Sequence, residues 1–159
     1  MLKSSATNDL DSVDRKLLAI LQREGRISNA ELAKKIHLSA PATHSRVKRL
    51  EQEGYIRSYV ALLDRNKMGY DNLCFIELSL ELHKHEQIQS ILETIMSWPE
   101  VLECHNVTGE YDYLLKVAVE NTRALEQFNS RKLIPLEGVA KIHTCLVLKE
   151  VKATTAIEV

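Results

Sequence analysis

This sequence predicts an α+β chain in two modules, helices first and a β-α-β-β-α-β succession second. Three observations predict it. Apolar residues recur at helical spacing through the first third, whereas residues 73–82 alternate apolar and polar with period two. Charge divides between the two parts: through Asp64 there are 11 Lys and Arg against 8 Asp and Glu, and from Arg65 onward 10 against 14. Trp98-Pro99, Gly109 and Gly138 then punctuate the second half where one element must end and another begin. The boundary is expected in the helical turn D-R-N-K-M-G at 64–69, giving modules 1–64 and 65–159.

At 159 residues, 45% of them apolar, each module has enough material for a modest core, and a disordered tail protein is excluded. No apolar run approaches the roughly 18 residues of a membrane span. The first residues, M-L-K-S-S-A-T-N-D-L-D, contain no apolar segment of the secretory kind, so a cytoplasmic location is the simplest expectation. Cys74, Cys104 and Cys145 are odd in number and widely spaced, which reads as reduced core thiols and neither a disulfide framework nor a zinc site.

In the first module, Asp11-Ser12 caps a helix with Val13, Leu17, Ile20 and Leu21 on its inner side, ended by Gly25. Ser28-Asn29-Ala30-Glu31 is a capping box, in which the Ser side chain accepts from the N–H near Glu31 and Glu31 reaches back. It opens a short helix with Leu32, Ala33 and Ile36 inward. The turn His37-Leu38-Ser39 leads into residues 39–54, S-A-P-A-T-H-S-R-V-K-R-L-E-Q-E-G. At 100° per residue, Thr43, Val47 and Leu50 share one face, while Ala42, Ser45, Lys48, Arg49 and Gln52 fall opposite. Ser39 caps the start, Pro41 is tolerated in the first turn and Gly54 supplies a left-handed stop. Two helices and a short turn, the second helix small and cationic outside, make a helix-turn-helix pattern. Residues 55–64, Y-I-R-S-Y-V-A-L-L-D, read as an extended strand or wing, with Arg57 and Tyr59 placed to flank phosphates.

In the second module, residues 73–82 form a strand with one wet face. Residues 86–97 return to helical spacing through Ile88, Ile91, Leu92 and Ile95. Strands are expected over 101–108 and 113–119, joined by the tight turn Gly109-Glu110-Tyr111-Asp112. A helix follows over 122–133 with Leu125 and Phe128 inward, and a last strand over 139–151. This is the order of a ferredoxin-like domain, an antiparallel four-stranded sheet with both helices on one side. Its other face is left bare, and pairing that face or the sheet edge with a second copy predicts at least a dimer.

Three stretches in this order and spacing resemble the Lrp/AsnC family, the feast/famine regulators: L-D-S-V-D-R-K-L-L-A-I-L-Q-R-E-G-R-I-S-N-A-E-L-A-K-K-I-H-L-S, then R-V-K-R-L-E-Q-E-G-Y-I, then V-T-G-E-Y-D-Y-L-L-K-V. The resemblance covers the chain from about Leu10 to Val151. It implies a winged helix-turn-helix followed by a domain for assembly and amino-acid regulation, and dimers that build into octamers.

Helix geometry assigns Ala42, Ser45, Lys48 and Arg49 to the DNA-facing side, with Arg46 at its margin. Cations neutralise phosphate, an Arg fork can donate to guanine O6 and N7, and small residues let the backbone come close. Thr43 faces the core and His44 falls between. Family members often carry a bulkier residue at the Ser45 position, so base preference does not carry over. Arg26, Lys34 and Lys35 read as ordinary surface charge. The Gly-led turn exposes successive N–H groups that can hold a carboxylate, and its acidic side chains suit an ammonium group. The resemblance places the effector pocket at Val107, Thr108, Gly109, Glu110, Tyr111 and Asp112, with Thr144 on the last strand as a further candidate. Neighbouring strand residues are mainly Val, Leu, Thr and Cys, which favours an apolar effector, leucine or methionine.

His83-x-His85-Glu86 reads as a polar turn rather than a metal site. Cys104-His105 and His143-x-Cys145 read as thiols beside partly exposed imidazoles unless their strands pair. No nucleophile elbow, phosphate loop or paired-carboxylate cleft is legible, and no enzyme, cofactor or metal is expected. The expected function is therefore a cytoplasmic, nucleoid-associated regulator that binds double-stranded DNA as a dimer or octamer and responds to an amino acid. The alternative is an architectural protein that wraps DNA with little effector control.

Overall fold

The computed structural model describes residues 10–81 and 85–159. It divides into two compact units, one comprising the chain through Leu62 together with Lys152–Val159, the other Leu63–Val151.

The first unit contains α1 (Ser12–Leu21), α2 (Asn29–Ile36) and α3 (Ala40–Gln52). Each begins where a side chain satisfies the first free N–H groups. Asp11 accepts from the N–H groups of Val13 and Asp14, both at 2.8 Å. Ser28 and Glu31 form the reciprocal box expected of them, and Ser39 accepts from Ala42. α1 ends at Leu21, one turn before Gly25. α2 ends on His37, whose φ of 58° and ψ of 42° are left-handed, a conformation that glycine usually supplies. Gly54 takes that role after α3, at φ 79°.

Leu17, Leu18, Leu32, Ile36 and Leu50 form the first core. Thr43 is fully buried beside them, and its hydroxyl donates to the Ser39 carbonyl at 3.0 Å, so the helix itself satisfies the buried oxygen. The expected strand or wing over 55–64 forms no ladder. An extended segment needs a partner strand for its N–H and C=O groups, and among the described residues it has none. The last residues join this unit instead of the second. Gln22 Nε2 donates to the Ile157 carbonyl at 3.0 Å, its Oε1 accepts from the Ile157 N–H at 2.8 Å, and Val159 packs against the core.

The second unit runs β1 (Asn72–Leu80), α4 (His85–Met96), β2 (Val101–Asn106), β3 (Tyr113–Val119), α5 (Thr122–Phe128) and β4 (Val139–Leu146). α5 continues through a π-helical turn, Asn129–Leu133. The sheet order is β2-β3-β1-β4, every pair antiparallel. Cys74, Ile76 and Leu78 of β1 and Leu115, Val117 and Val119 of β3 point to one face. There they meet Ile91 and Ile95 of α4 and Leu125 and Phe128 of α5, so both helices cover the same side. The fold is thus the α+β arrangement that the order of elements predicted.

β4 stops at Leu146, short of the expected end at Val151, because its pairing with β1 ends at Cys74↔Leu146. Period-two alternation sends Phe75, Glu77 and Ser79 to the face that the helices leave uncovered.

Candidate nucleic-acid interface and effector site

On α3, Ala42, Ser45 and Lys48 are exposed together, and Thr43 and Leu50 are buried opposite them. Arg46 and Arg49 sit on the flank that faces α1. Arg46 Nη1 donates to Asp11 Oδ2 at 2.7 Å and to Asp14 Oδ1 at 2.8 Å, and Arg49 Nη2 donates to Asp14 Oδ2 at 2.5 Å. Asp14 is 1% exposed. Hydrogen bonding to these carboxylates raises both guanidinium groups above their ordinary value. In return the Asp14 N–H, and then Arg46, hold the Asp11 carboxyl below its own. The sequence marked both arginines by their position on the helix, but gave no sign that α1 would claim them. Lys35 pairs with Glu24, consistent with ordinary surface charge. The Tyr59 hydroxyl donates to Glu51 at 3.0 Å, and burial followed by that carboxylate pushes it up to about 12.

In the second unit, the turn between β2 and β3 is latched to β1 by its last residue. Asp112 donates its N–H to the Leu78 carbonyl at 2.9 Å, and its Oδ2 accepts from the Leu80 N–H at 2.8 Å. The Asn106 amide adds a bond to the Asp112 carbonyl at 2.9 Å. Gly109 has φ 125°, which admits a side chain only with strain. This turn walls a cleft of about 410 Å³ lined by Glu77, Val107, Thr108, Glu110, Tyr111 and His143.

Four of the seven expected effector residues therefore line the cleft. Gly109 and Asp112 shape the turn, and Asp112 uses its carboxylate to do so. Thr144 points the other way, its Oγ1 accepting from Asn129 at 3.3 Å on the helical side. Glu77 and His143 are the residues that the sequence did not single out for this site. They stand opposite each other in the β1–β4 register, His143 Nδ1 lies 2.7 Å from Glu77 Oε2, and Tyr111 stacks on the His143 ring at 6.0 Å and 19°. Their signal was present in the alternation of both strands, but the register was not. Glu110 approaches Lys141 at 3.5 Å on the exposed rim.

The remaining candidates separate. Cys104-His105 and His143-Cys145 lie on β2 and β4, the two edges of the sheet, so they do not meet. Cys74 is buried and Cys104 partly buried, and burial raises both thiols, but Cys145 is exposed and not the core thiol expected. His83 and the His85 side chain lie outside the described residues. Among the described residues no group of three His, Cys, Asp or Glu is placed to hold a metal ion.

The family pattern for an Lrp/AsnC ligand-binding domain matches residues 73–157, most of which form the second unit, and a winged helix-turn-helix DNA-binding pattern matches residues 10–57 of the first. The chain belongs to the Lrp/AsnC family. Among its Lrp/AsnC relatives, the leucine-responsive regulatory protein of Rhizobium meliloti is 36% identical over 151 residues, 95% of this chain and 97% of that protein. A transcriptional regulator of Neisseria meningitidis, solved in complex with L-methionine, superposes with a TM-score of 0.90 at 36% identity, covering 93% of this chain and 96% of that one. The feast or famine regulatory protein of M. tuberculosis, also solved with L-methionine, gives 0.82 at 30% identity, covering 94% and 99%. The chain is accordingly a transcriptional regulator of the Lrp/AsnC type, with a helix-turn-helix for DNA and a ligand-binding domain. Among its described residues no helix is long and apolar enough to cross a membrane.

Proposed function

We propose that this regulator sets α3 into the DNA major groove and changes its DNA binding when an amino acid occupies the cleft beside Gly109. The observation that carries the effector half is the cleft itself, which sets residues of the Gly-led turn beside the carboxylates of Glu77 and Glu110. A zwitterion needs both: N–H donors for its carboxylate and an acidic group, Glu110 or Glu77, for its ammonium. Val107 and the Thr108 methyl offer apolar surface for a side chain, which favours leucine or methionine. L-methionine bound to the Neisseria and M. tuberculosis relatives supports that choice.

On the DNA side the interface comprises Ala42, Ser45 and Lys48 outward, flanked by Arg46 and Arg49. Two copies of α3 in a dimer would enter successive major grooves of a pseudo-palindrome, one helical turn apart. The bare sheet face and the unpaired segment 55–64 are the surfaces on which a second copy would sit, and dimers building to an octamer would bring further surfaces to the cleft. A regulator of this kind works in the cytoplasm on the nucleoid. Because the effector acts by binding one arrangement better than another, it shifts DNA affinity only as far as its preference allows.

Isothermal titration of the full chain with L-leucine and L-methionine tests the effector assignment. Saturable heat with at least one of them, lost in Gly109→Asp, is the expected result. No heat with either, or heat unchanged in Gly109→Asp, overturns it.

A further inference from the structure

Of the cations on and beside the outer face of α3, Lys48 makes no ion pair among the described residues, whereas Arg46 and Arg49 both do. Their shared acceptor is unusual. Asp14 lies in the first turn of α1, is 1% exposed, and takes one guanidinium on each carboxylate oxygen. Its Oδ2 also accepts the Asp11 N–H at 3.2 Å. A carboxylate so buried is tolerated only when paired, and charge-assisted bonds to both oxygens pair it fully.

The geometry has two consequences. Arg46 and Arg49 stand three residues apart on α3 and converge on one point of α1, which fixes the rotation of α3 about its own axis. That rotation decides which side chains α3 presents. The second consequence is electrostatic. Asp11, Asp14, Arg46 and Arg49 cancel in charge, so two cations beside the outer face add little to the pull on a phosphate backbone. Both arginine side chains nevertheless reach the surface, at 33% and 41% exposure, so releasing them would return their charge to solvent at that face.

We propose that Asp14 is a positioning residue for DNA recognition, withholding Arg46 and Arg49 from phosphate and setting the rotation of α3, so that discrimination between sequences rests on Ala42, Ser45 and Lys48. The proposal rests on the assignment of the outer face of α3 to DNA. Its signature is the salt dependence of binding, because each phosphate neutralised by a cation contributes about 0.9 to the slope of log K against log salt. A side chain that only held the fold together would alter stability and leave that slope alone.

The test measures binding of the full chain to two duplexes, one enriched by in vitro selection on the wild-type protein and one of shuffled sequence. Asp14→Asn keeps the size of the side chain and removes its charge. It is expected to steepen the salt slope on the shuffled duplex by about one, as Arg49 is released, and to narrow the preference for the selected duplex. Asp11→Asn with Asp14→Asn should steepen it by nearly two, since Asn still caps α1. A folded Asp14→Asn protein with an unchanged or shallower slope overturns the proposal.

Arg49→Met keeps the test decisive should Asp14→Asn not fold. Weaker binding to the selected duplex with the slope preserved is expected. A slope shallower by about one would place Arg49 on a phosphate and overturn the proposal. Lys48→Ala separates this failure from that of the underlying assignment. It should lower the slope by about one, and a slope unaffected by Lys48→Ala refutes the placement of α3 itself.

Discussion

Gly109→Ala isolates what the effector turn asks of its backbone. Gly109 sits at φ 125°, and a Cβ built there meets nothing within 4 Å. Any effect is therefore conformational and not a clash. Holding a side-chain-bearing residue in such a region costs about 1–3 kcal/mol. Should the turn relax to avoid that strain, it pulls on the bonds from Asp112 to Leu78 and Leu80, so the loss appears either way.

Urea unfolding followed by tryptophan fluorescence reads it directly. The one tryptophan, Trp98, is partly buried against the core of the second unit and packs edge-on on Phe128 at 5.5 Å. With a slope of about 2 kcal/mol per molar urea, a 2 kcal/mol loss moves the midpoint down by about 1 M. Gly25→Ala, read from the helical far-UV signal because Gly25 lies in the first unit, is the internal comparison: Gly25 has no positive φ and its Cβ would meet only the Leu21 carbonyl oxygen at 3.8 Å. That substitution should be neutral or stabilise by up to about 1 kcal/mol. A Gly109→Ala midpoint equal to wild type, or a Gly25→Ala loss as large as that of Gly109→Ala, would refute the reasoning.

Leu50→Ala empties a fully buried site against Leu17, Leu18, Leu32 and Ile36, and should cost the first unit about 2–5 kcal/mol, read from the helical far-UV signal. A loss under about 1 kcal/mol would contradict that core. The carboxyls of Asp11 and Glu31 are held below their ordinary values of 3.8 and 4.5, by the Asp14 N–H and the Ser28 side chain respectively. Their depressed values stabilise the fold fully above those ordinary values, and the stabilisation is lost as pH falls through the folded ones. The urea midpoint of the helical signal should thus fall on acidification below about pH 4.5, and a midpoint that rises there would contradict the assignment. Glu77→Gln and His143→Ala remove the pair inside the cleft. Each should change amino-acid affinity at least several-fold without moving effector-free DNA affinity, and effector titrations identical to wild type would remove both residues from the site.

What the sequence made legible was local. Ser28 with Glu31, Ser39 before Pro41, and Gly54 after a helix act within one turn of chain, so their consequences follow from spacing alone. The alternation of β1 and the turn at Gly109 are local in the same sense. The features that were not legible all depend on partners far along the chain. Arg46 and Arg49 look like free cations until α1 brings Asp14 beneath them. Glu77 and His143 lie 66 positions apart and meet only through the β1–β4 register. Thr144 lies opposite Ile76 and turns towards Asn129, away from the cleft, which again follows from the register and not from its own neighbours. Gln22 and Ile157 form a reciprocal amide pair across 135 positions, a contact that no periodicity announces. The segment 55–64 shows the converse: its residues favour a strand, but a strand is completed only by a neighbour.

The central claim is that one molecule couples an amino acid in the cleft beside Gly109 to DNA held by α3. Fluorescence anisotropy of a selected duplex, titrated with and without saturating L-methionine or L-leucine, measures that coupling in one experiment. The account predicts a change in DNA Kd of at least about fivefold with one of these amino acids, the lower end of ordinary allosteric coupling. It predicts no change in Gly109→Asp, whose effector-free affinity should match wild type. A DNA affinity indifferent to both amino acids, or a response that survives in Gly109→Asp, would contradict it.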